Sequence, residues 1–323
     1  VHGRDQQGNL EDDRGTTDRM KPARSRTAML VLGGLVVAGL LVLAVLAGVL
    51  LVYVQGRRQP SGDPQYVAMG SSFAAGIGLG PRAPGSPIAC MRTINGYPSQ
   101  LAALIKLPLV DVSCSGATTA HILNGGQFFQ RPQLDAVKPG TKLVTITSGG
   151  NDVGYVGGLS SAAAQNGSSF SNRLARLFLR PPAPRGPGDF DKVRRDLAEV
   201  VAQVQQRAPA ATVVLVTYPA ILPPDGTCPR LNISEDQARQ SHKIGNQLAD
   251  ATRLAAQDSG ALLVDMHRLG ADYHACADTP WTNGWKDVQG TPFHPTLLGA
   301  RETARAIAAA LTPPVPELKE SKR

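Results

Sequence analysis

The sequence predicts an α/β protein, a three-layer α/β/α sandwich around a five-stranded parallel sheet, preceded by one transmembrane helix. Three observations carry this. From Gln65 to about Leu311, short β-like runs alternate with helical patterns, the signature of a parallel sheet covered on both faces. Before them lies an uncharged run from Ala28 to Val54. Three of the β-like runs end in segments rich in glycine and hydroxyl or amide residues, where sheets of this class place their ligands.

Residues Val1 to Thr27 are polar, mixed in charge and poor in apolar side chains, and read as a disordered cytoplasmic tail. Ala28–Val54 carries no Asp, Glu, Lys or Arg. At about 1.5 Å per helical residue it crosses a hydrocarbon core of roughly 30 Å, so residues 28–54 are read as a signal anchor. The alternative is a cleaved signal peptide and a secreted domain. That needs an apolar core of about 7–15 residues and a small-residue cleavage site. Val52-Tyr53-Val54-Gln55-Gly56-Arg57-Arg58 offers no good site, and no cysteine follows that could carry a lipid. Arg19, Lys21, Arg24 and Arg26 precede the run and only Arg57 and Arg58 follow it, which puts the N-terminus in the cytoplasm and the bulk of the chain outside. Residues 55–64, with two prolines and a glycine in Gln59–Pro64, form the expected linker. The catalytic domain is expected over 65–312 and a solvated tail over 313–323.

Within the domain the strand candidates are Tyr66–Met69, Leu109–Val112, Lys142–Thr147, Thr212–Thr217 and Ala261–Asp265. The clearest helix is Phe190 to Arg207, where Phe190, Val193, Leu197, Val200, Val201 and Val204 recur on one face. A second, Glu235 to about Gln257, is opened by Ser234 and Gln237 in capping-box spacing. A third is expected from Pro295 to Leu311, with proline in the first turn, where its missing N–H costs nothing. Val156–Gly188 and Pro219–Leu231 break the alternation and read as long loops that shape a cleft. Asn166-Gly167-Ser168 and Asn232-Ile233-Ser234 match the N-glycosylation acceptor pattern, a short and unspecific signal.

The formal net charge of +8 does not indicate nucleic acid, because the basic residues are scattered and an exported protein rarely meets it. All four cysteines, Cys90, Cys114, Cys228 and Cys276, follow the apolar run, as disulfides in an oxidising compartment would. Three pairings are possible, and the sequence-local one, Cys90 with Cys114 and Cys228 with Cys276, would pin one long loop each. Wide spacings, no CxxC and unclustered histidines argue against zinc.

Two residues have the chemistry of acyl transfer. Ser72, just past the first strand in Gly70-Ser71-Ser72, is a candidate nucleophile, and His294, in Phe293-His294-Pro295, is a base whose unperturbed pKa of about 6.5 suits it to take the serine proton. The backbone N–H groups of Ser72 and Gly116 and the side-chain amide of Asn151 are candidate donors to an oxyanion. Singly, each has a plainer account: a serine ending a strand, a turn asparagine, a histidine capping a helix, a glycine needed for backbone shape. Four ordered blocks on expected strand ends favour catalysis. His121, His242, His267 and His274 show no partner pattern and are assigned to surface or packing. Trp281 and Trp285 either line an acyl pocket or pack over the sheet edge.

In these blocks the chain resembles the SGNH hydrolases, the GDSL esterases and lipases, especially exported actinobacterial-type members. Gly70-Ser71-Ser72 resembles the Gly-Asp-Ser nucleophile block, Cys114-Ser115-Gly116 the glycine block, Gly149-Gly150-Asn151-Asp152 the Gly-x-Asn-Asp block, and His294 the last block, in order over about 250 residues. The resemblance implies a flavodoxin-like SGNH fold, Ser72 as nucleophile, Ser72, Gly116 and Asn151 as the oxyanion hole, and His294 as base and then acid. It also supports the Cys90–Cys114 pair. There are two departures: Ser71 stands where the pattern has Asp, and Thr291 stands three residues before His294, where the pattern has the triad Asp. A Ser-His dyad oriented by the Thr291 carbonyl is therefore expected, with Asp287 or Asp265 as the alternatives. The expectation is a monomeric, cofactor-free and metal-free serine esterase or lipase of the bacterial cell envelope, held at the plasma membrane by its N-terminal helix. The rival expectations are an O-acyltransferase acting on envelope glycans and an envelope-binding protein on a degenerate hydrolase scaffold.

Overall fold

The computed structural model describes residues 24–58, 62–167, 173, 174, 178, 186–286 and 289–312. Residues 1–23 and 313–323 of the expected tails, Gln59–Ser61, Ser168 of the first glycosylation pattern and much of the proline-rich stretch before Gly186 lie outside them, as does Asp287; residues 24–27, expected in the N-terminal tail, are helical. The chain divides into two compact units, Val1–Leu50 and Leu51–Arg323. In the first, helix α1 begins; it covers Arg24–Arg57, and its Ala28–Arg57 portion, an 18-residue stretch of which has a mean hydropathy of 3.1, is long enough to cross a membrane. The helix continues through Gln55 and Gly56, which the apolar run alone assigned to a linker.

The second unit is built on five strands: β1 (Tyr66–Gly70), β2 (Leu109–Asp111), β3 (Leu143–Thr147), β4 (Thr212–Val216) and β5 (Leu262–Val264). All pair in parallel, in the order β2-β1-β3-β4-β5. Side chains alternate across the sheet as the pleat requires. Val67 and Met69 of β1 join a core with Val144 and Ile146 of β3, while Tyr66 and Ala68 face a second core on the other side. The first core is closed by α4 (Thr119–Asn124), α5 (Tyr155–Asn166), α6 (Pro187–Arg207) and α7 (Glu235–Ser259); the second by α3 (Tyr97–Ile105) and α9 (Leu297–Leu311). Two single-turn helices, α2 (Ser72–Ala75) and α8 (Met266–Leu269), lie at the ends of β1 and β5.

The six apolar residues that marked the face of α6 are its six buried side chains. At α7 the capping box forms as spaced: the Gln237 N–H donates to Ser234 Oγ at 3.3 Å and the Ser234 N–H to Gln237 Oε1 at 2.9 Å. Three boundaries differ most from expectation. Helix α6 begins at Pro187 rather than Phe190, because proline suits the first helical turn. Residues 156–166, read as loop, belong to α5, whose Gly157 and Gly158 hide an otherwise helix-compatible Ser/Ala run. The last helix begins at Leu297 rather than Pro295, because the Thr296 hydroxyl caps it by accepting from the Gly299 N–H at 3.0 Å.

Both disulfides of the sequence-local pairing are present, Cys90–Cys114 and Cys228–Cys276, closing separations of 24 and 48 residues. Each joins loops rather than core elements. The double substitution Cys228→Ser/Cys276→Ser is therefore expected to cost about 2–5 kcal/mol of unfolding free energy, read from urea denaturation of oxidised protein against wild type. A change below the error of the measurement would mean that the loops hold their arrangement without the bond.

Candidate active site

The strand order reverses between β1 and β3, and the crevice at such a switch point is where open parallel sheets bind ligands. β1 ends there at Gly70, with φ of +133°. A Cβ at this position would lie 2.2 Å from the Thr147 carbonyl oxygen, so no other residue fits. Next, the Ser71 N–H donates to that same carbonyl at 3.0 Å, and Ser72 opens α2. The first N–H groups of a helix have no intrahelical acceptor. Among the described residues, no protein acceptor takes the N–H of Ser72 or that of Gly116.

Gly116 is drawn to the same place through its loop. The Cys114 N–H donates to the Gly70 carbonyl at 3.0 Å, and Gly116, exposed and at φ +82°, follows two residues later. Asn151, just beyond β3, gives one amide hydrogen to the Ala117 carbonyl at 2.8 Å and keeps its second. Asp152 holds this segment down by accepting from the Thr119 hydroxyl at 2.6 Å and the Thr119 N–H at 3.1 Å. Ser72, Gly116 and Asn151 thus converge on one rim.

His294 arrives from the far end of the chain. Its Nε2 is 2.8 Å from Ser72 Oγ, across 222 residues of sequence, and its Nδ1 is 2.8 Å from the Pro292 carbonyl oxygen. A carbonyl only accepts, so Nδ1 carries the proton and Nε2 is left to accept from the serine hydroxyl. The orienting carbonyl is not that of Thr291, as expected from the sequence, but the next one. Thr291-Pro292-Phe293-His294 closes a tight turn with the His294 N–H on the Thr291 carbonyl at 3.3 Å. Proline second and a positive φ third (Phe293, +57°) are the marks of a type II turn. Because the turn uses the Thr291 carbonyl, the imidazole takes that of Pro292. Phe293 is wholly buried, stacks on Trp285 with centroids 6.0 Å apart, and holds a backbone conformation costly for a bulky residue. Asp265 is committed elsewhere, to Arg253 at 2.9 Å and Thr217 at 3.1 Å.

Burial pushes the His294 imidazolium down to about pKa 4, only partly opposed by the Pro292 carbonyl, so the ring is a neutral base at ordinary pH. The remaining histidines do other things. His121 Nδ1 accepts from the Thr118 N–H at the start of α4, and His274 Nδ1 accepts from the Cys276 N–H. Trp281 stacks flat on Tyr273 at 4.4 Å.

A model of the GDSL-like lipase/acylhydrolase family matches residues 68–302, from β1 into α9. The chain belongs to this family. Lipase 2 of Streptomyces coelicolor is 32% identical to it over 254 residues, which are 74% of this chain and 83% of that protein. Among solved structures, phospholipase A1 from Streptomyces albidoflavus superposes with a TM-score of 0.61 at 26% identity. An extracellular lipase from Streptomyces rimosus does so with 0.61 at 27%. Each covers 77% of this chain and all of the other. The GDSL-like domain is a carboxylic ester hydrolase.

Three side chains of this GDSL-like domain escaped the sequence reading. Tyr218 OH bonds Ser71 Oγ at 2.8 Å and accepts from the Gly150 N–H at 3.2 Å, so at the position where the family pattern has Asp, a serine and a tyrosine join the nucleophile turn to the asparagine block. Gln133, buried, grips Gly70 from both sides, accepting its N–H at 2.7 Å and donating to its carbonyl at 3.0 Å. Asn283 fastens the histidine turn: its N–H reaches the His294 carbonyl at 2.8 Å, and its side-chain amide lies 3.2–3.4 Å from the carbonyls of His294, Pro295 and Thr291. These bonds link residues up to 147 positions apart, and no local pattern announces them.

Two outcomes follow. The acid limb of kcat/KM, which reports the free enzyme, is expected near pH 4 rather than 6.5, because activity is lost only when His294 is protonated; a midpoint at 6.5 in a pH-rate profile would contradict a buried neutral imidazole. Tyr218→Phe leaves Ser71 Oγ and the Gly150 N–H buried without their partner and is expected to cost about 1–3 kcal/mol in chemical denaturation.

Proposed function

We propose that this hydrolase is a membrane-anchored, extracytoplasmic serine esterase or lipase that works through an acyl-enzyme on Ser72. The observation that carries the reading is the 2.8 Å approach of Ser72 Oγ to His294 Nε2, with Nδ1 tied to a backbone carbonyl. As Ser72 Oγ attacks the ester carbonyl carbon, its proton passes to Nε2. The carbonyl oxygen becomes an oxyanion that accepts from the N–H groups of Ser72 and Gly116 and the free amide hydrogen of Asn151. Such donors are worth roughly 3–4 kcal/mol apiece. Collapse breaks the bond to the alcohol, which leaves with the Nε2 proton. Water then gives a proton to His294 Nε2 as its oxygen bonds the acyl carbon; collapse breaks the bond to Ser72 Oγ, which takes that proton back from Nε2, and the acid leaves.

No carboxylate supports the imidazole in this scheme. Where an aspartate does so in serine proteases, exchanging it for asparagine costs about 10⁴ in kcat, largely through the wrong tautomer. The Pro292 carbonyl imposes the right tautomer, which is the larger part of that role, and forgoes the charge.

We assign 28–54 as the anchor, 65–312 as the catalytic domain, and the region before the anchor to the cytoplasm. Support comes from the 30-residue apolar helix Ala28–Arg57, the basic residues that precede it, and two disulfides in the domain. Substrates are carboxylic esters of lipids, acylated glycans or small alcohols, and the domain needs no cofactor.

The test is hydrolysis of p-nitrophenyl esters of rising chain length by the full chain in detergent. Turnover is expected to vanish in Ser72→Ala and His294→Ala, and to fall about 10²–10³-fold in Asn151→Ala. Wild-type-like turnover in either of the first two would sink the dyad.

A further inference from the structure

Beside the oxyanion loop lies an apolar surface that neither the fold nor the dyad requires. Ile88, Met91, Phe128 and Phe129 are 54%, 45%, 42% and 47% exposed. Three of them occupy left-handed backbone: Met91 at φ 54°, Phe128 at 49° and Phe129 at 61°. Exposed turns in this conformation normally carry glycine or asparagine, which bear it at little cost. Here large apolar side chains take both the backbone cost and the contact with water. Such expense in a cluster, next to a site, points to an apolar partner outside the chain.

The two turns form one surface. Gln130 Nε2 lies 2.6 Å from Cys90 Sγ and 3.3 Å from Cys114 Sγ, so residues 88–91 and 127–130 meet over the Cys90–Cys114 disulfide. The same turn reaches the site. Gln127 Nε2 donates to the Ser115 carbonyl at 2.8 Å and lies 3.1 Å from where a Cβ on Gly116 would sit.

The occupant is indicated by what touches this surface. Leu51–Arg57 belongs to the same compact unit as the catalytic domain. Within it, the Tyr53 ring meets Phe129 edge-on at 5.6 Å, and Gln55 Oε1 accepts from the Ile88 N–H at 2.9 Å. At Gly56 the backbone passes so near that a Cβ would stand 2.3 Å from the Phe128 carbonyl oxygen. These residues directly continue the apolar segment, so covalent connection alone keeps the bilayer boundary within a turn or so of them, about 5 Å of helix. Tyrosine and arginine are the residues that favour this boundary, and Arg57 lines the same groove as Tyr53 and Phe129.

We propose that the Ile88–Met91 and Phe128–Phe129 turns rest in the interfacial layer of the bilayer that the preceding helix crosses, so that the neighbouring oxyanion loop takes acyl esters directly from the membrane. The proposal rests on the membrane-anchored esterase reading above and narrows its substrate to bilayer-embedded acyl lipids.

The test uses the full chain in vesicles of phosphatidylcholine and phosphatidylglycerol containing a fluorogenic long-chain acyl ester, with soluble p-nitrophenyl acetate as the second substrate. Phe128→Ser/Phe129→Ser is expected to lose about tenfold on the embedded ester, the weight of roughly 1.4 kcal/mol of seating, while acetate turnover stays within about twofold. Equal losses on both substrates, or no loss on either, would overturn the seating. Single Phe128→Trp and Phe129→Trp variants give a readout free of activity: brominated lipid is expected to quench their emission beyond that of wild type, and no added quenching would also overturn it. Cross-linking between two copies through these turns, lost in the serine variant, would assign the surface to a second copy instead. The underlying reading fails separately, if alkaline carbonate extracts the chain from membranes or if Ser72→Ala keeps its acetate turnover.

Discussion

The constraint on which the rest of the site depends is the approach of β1 to β3 at Gly70. A side chain there would penetrate the Thr147 carbonyl, and the +133° φ that glycine alone adopts cheaply swings the chain off the sheet edge. Everything in the site is referred to that point. The Gly70 carbonyl receives Cys114 and so positions the glycine block; its N–H and carbonyl are both gripped by Gln133; the Thr147 carbonyl that excludes the Cβ receives the next N–H, that of Ser71. One residue further, Ser72 begins a helix of a single turn with its N–H free to face a ligand. The candidate nucleophile and oxyanion loop are therefore set largely by hydrogen bonds to the backbone of this one switch point, while side-chain bonds from Asp152 and Tyr218 hold the asparagine block.

The histidine is set by a different device. A carboxylate partner would supply orientation, tautomer and charge together, and the chain uses a carbonyl that supplies only the first two. The strain of Phe293 is what makes this possible, because a left-handed residue at the third turn position directs His294 back over its own turn. Full burial against Trp285 and the bonds from Asn283 hold the strained residue in place. The cost falls on the imidazolium. With burial opposed only by one carbonyl dipole, the protonated ring is disfavoured, as the depressed pKa of His294 expresses. In the proposed mechanism the charge that develops during attack is balanced chiefly by the nearby oxyanion, so the proposed donors of Ser72, Gly116 and Asn151 carry more of the catalysis than they would in a triad.

How much of this could be read from the sequence follows from the range of the interactions. The five strands were legible to within about two residues because apolar β-branched runs reflect local burial, and the α6 face because its period is local too. The catalytic blocks were legible through their order and their resemblance to a known family. The orienting carbonyl was displaced by one residue because the turn type depends on Phe293 accepting strain, against its own preference. Tyr218, Gln133 and Asn283 were invisible for the same reason in stronger form. Each acts through a side-chain bond whose partner is fixed only by the finished fold, and one tyrosine among six gives no hint that it completes a serine turn. Helix α9 starts two residues later than its proline indicates, because the Thr296 hydroxyl supplies the cap.

The loops, finally, show why a site of this kind needs fastening from outside the core. Ser72 and Asn151 follow the ends of central strands and inherit their rigidity, but Gly116 and His294 stand on connections outside the sheet. The Cys90–Cys114 bond fixes the chain two residues before Gly116, and the Cys228–Cys276 bond ties the loop after β4 to the segment that leads to Trp281 and the histidine turn. An oxyanion donor depends on being held in place, since its worth lies in being oriented before charge appears. Covalent closure restrains such loops without adding apolar bulk at the cleft, and it leaves the exposed turns beside the first disulfide free to carry apolar residues that the core has no use for.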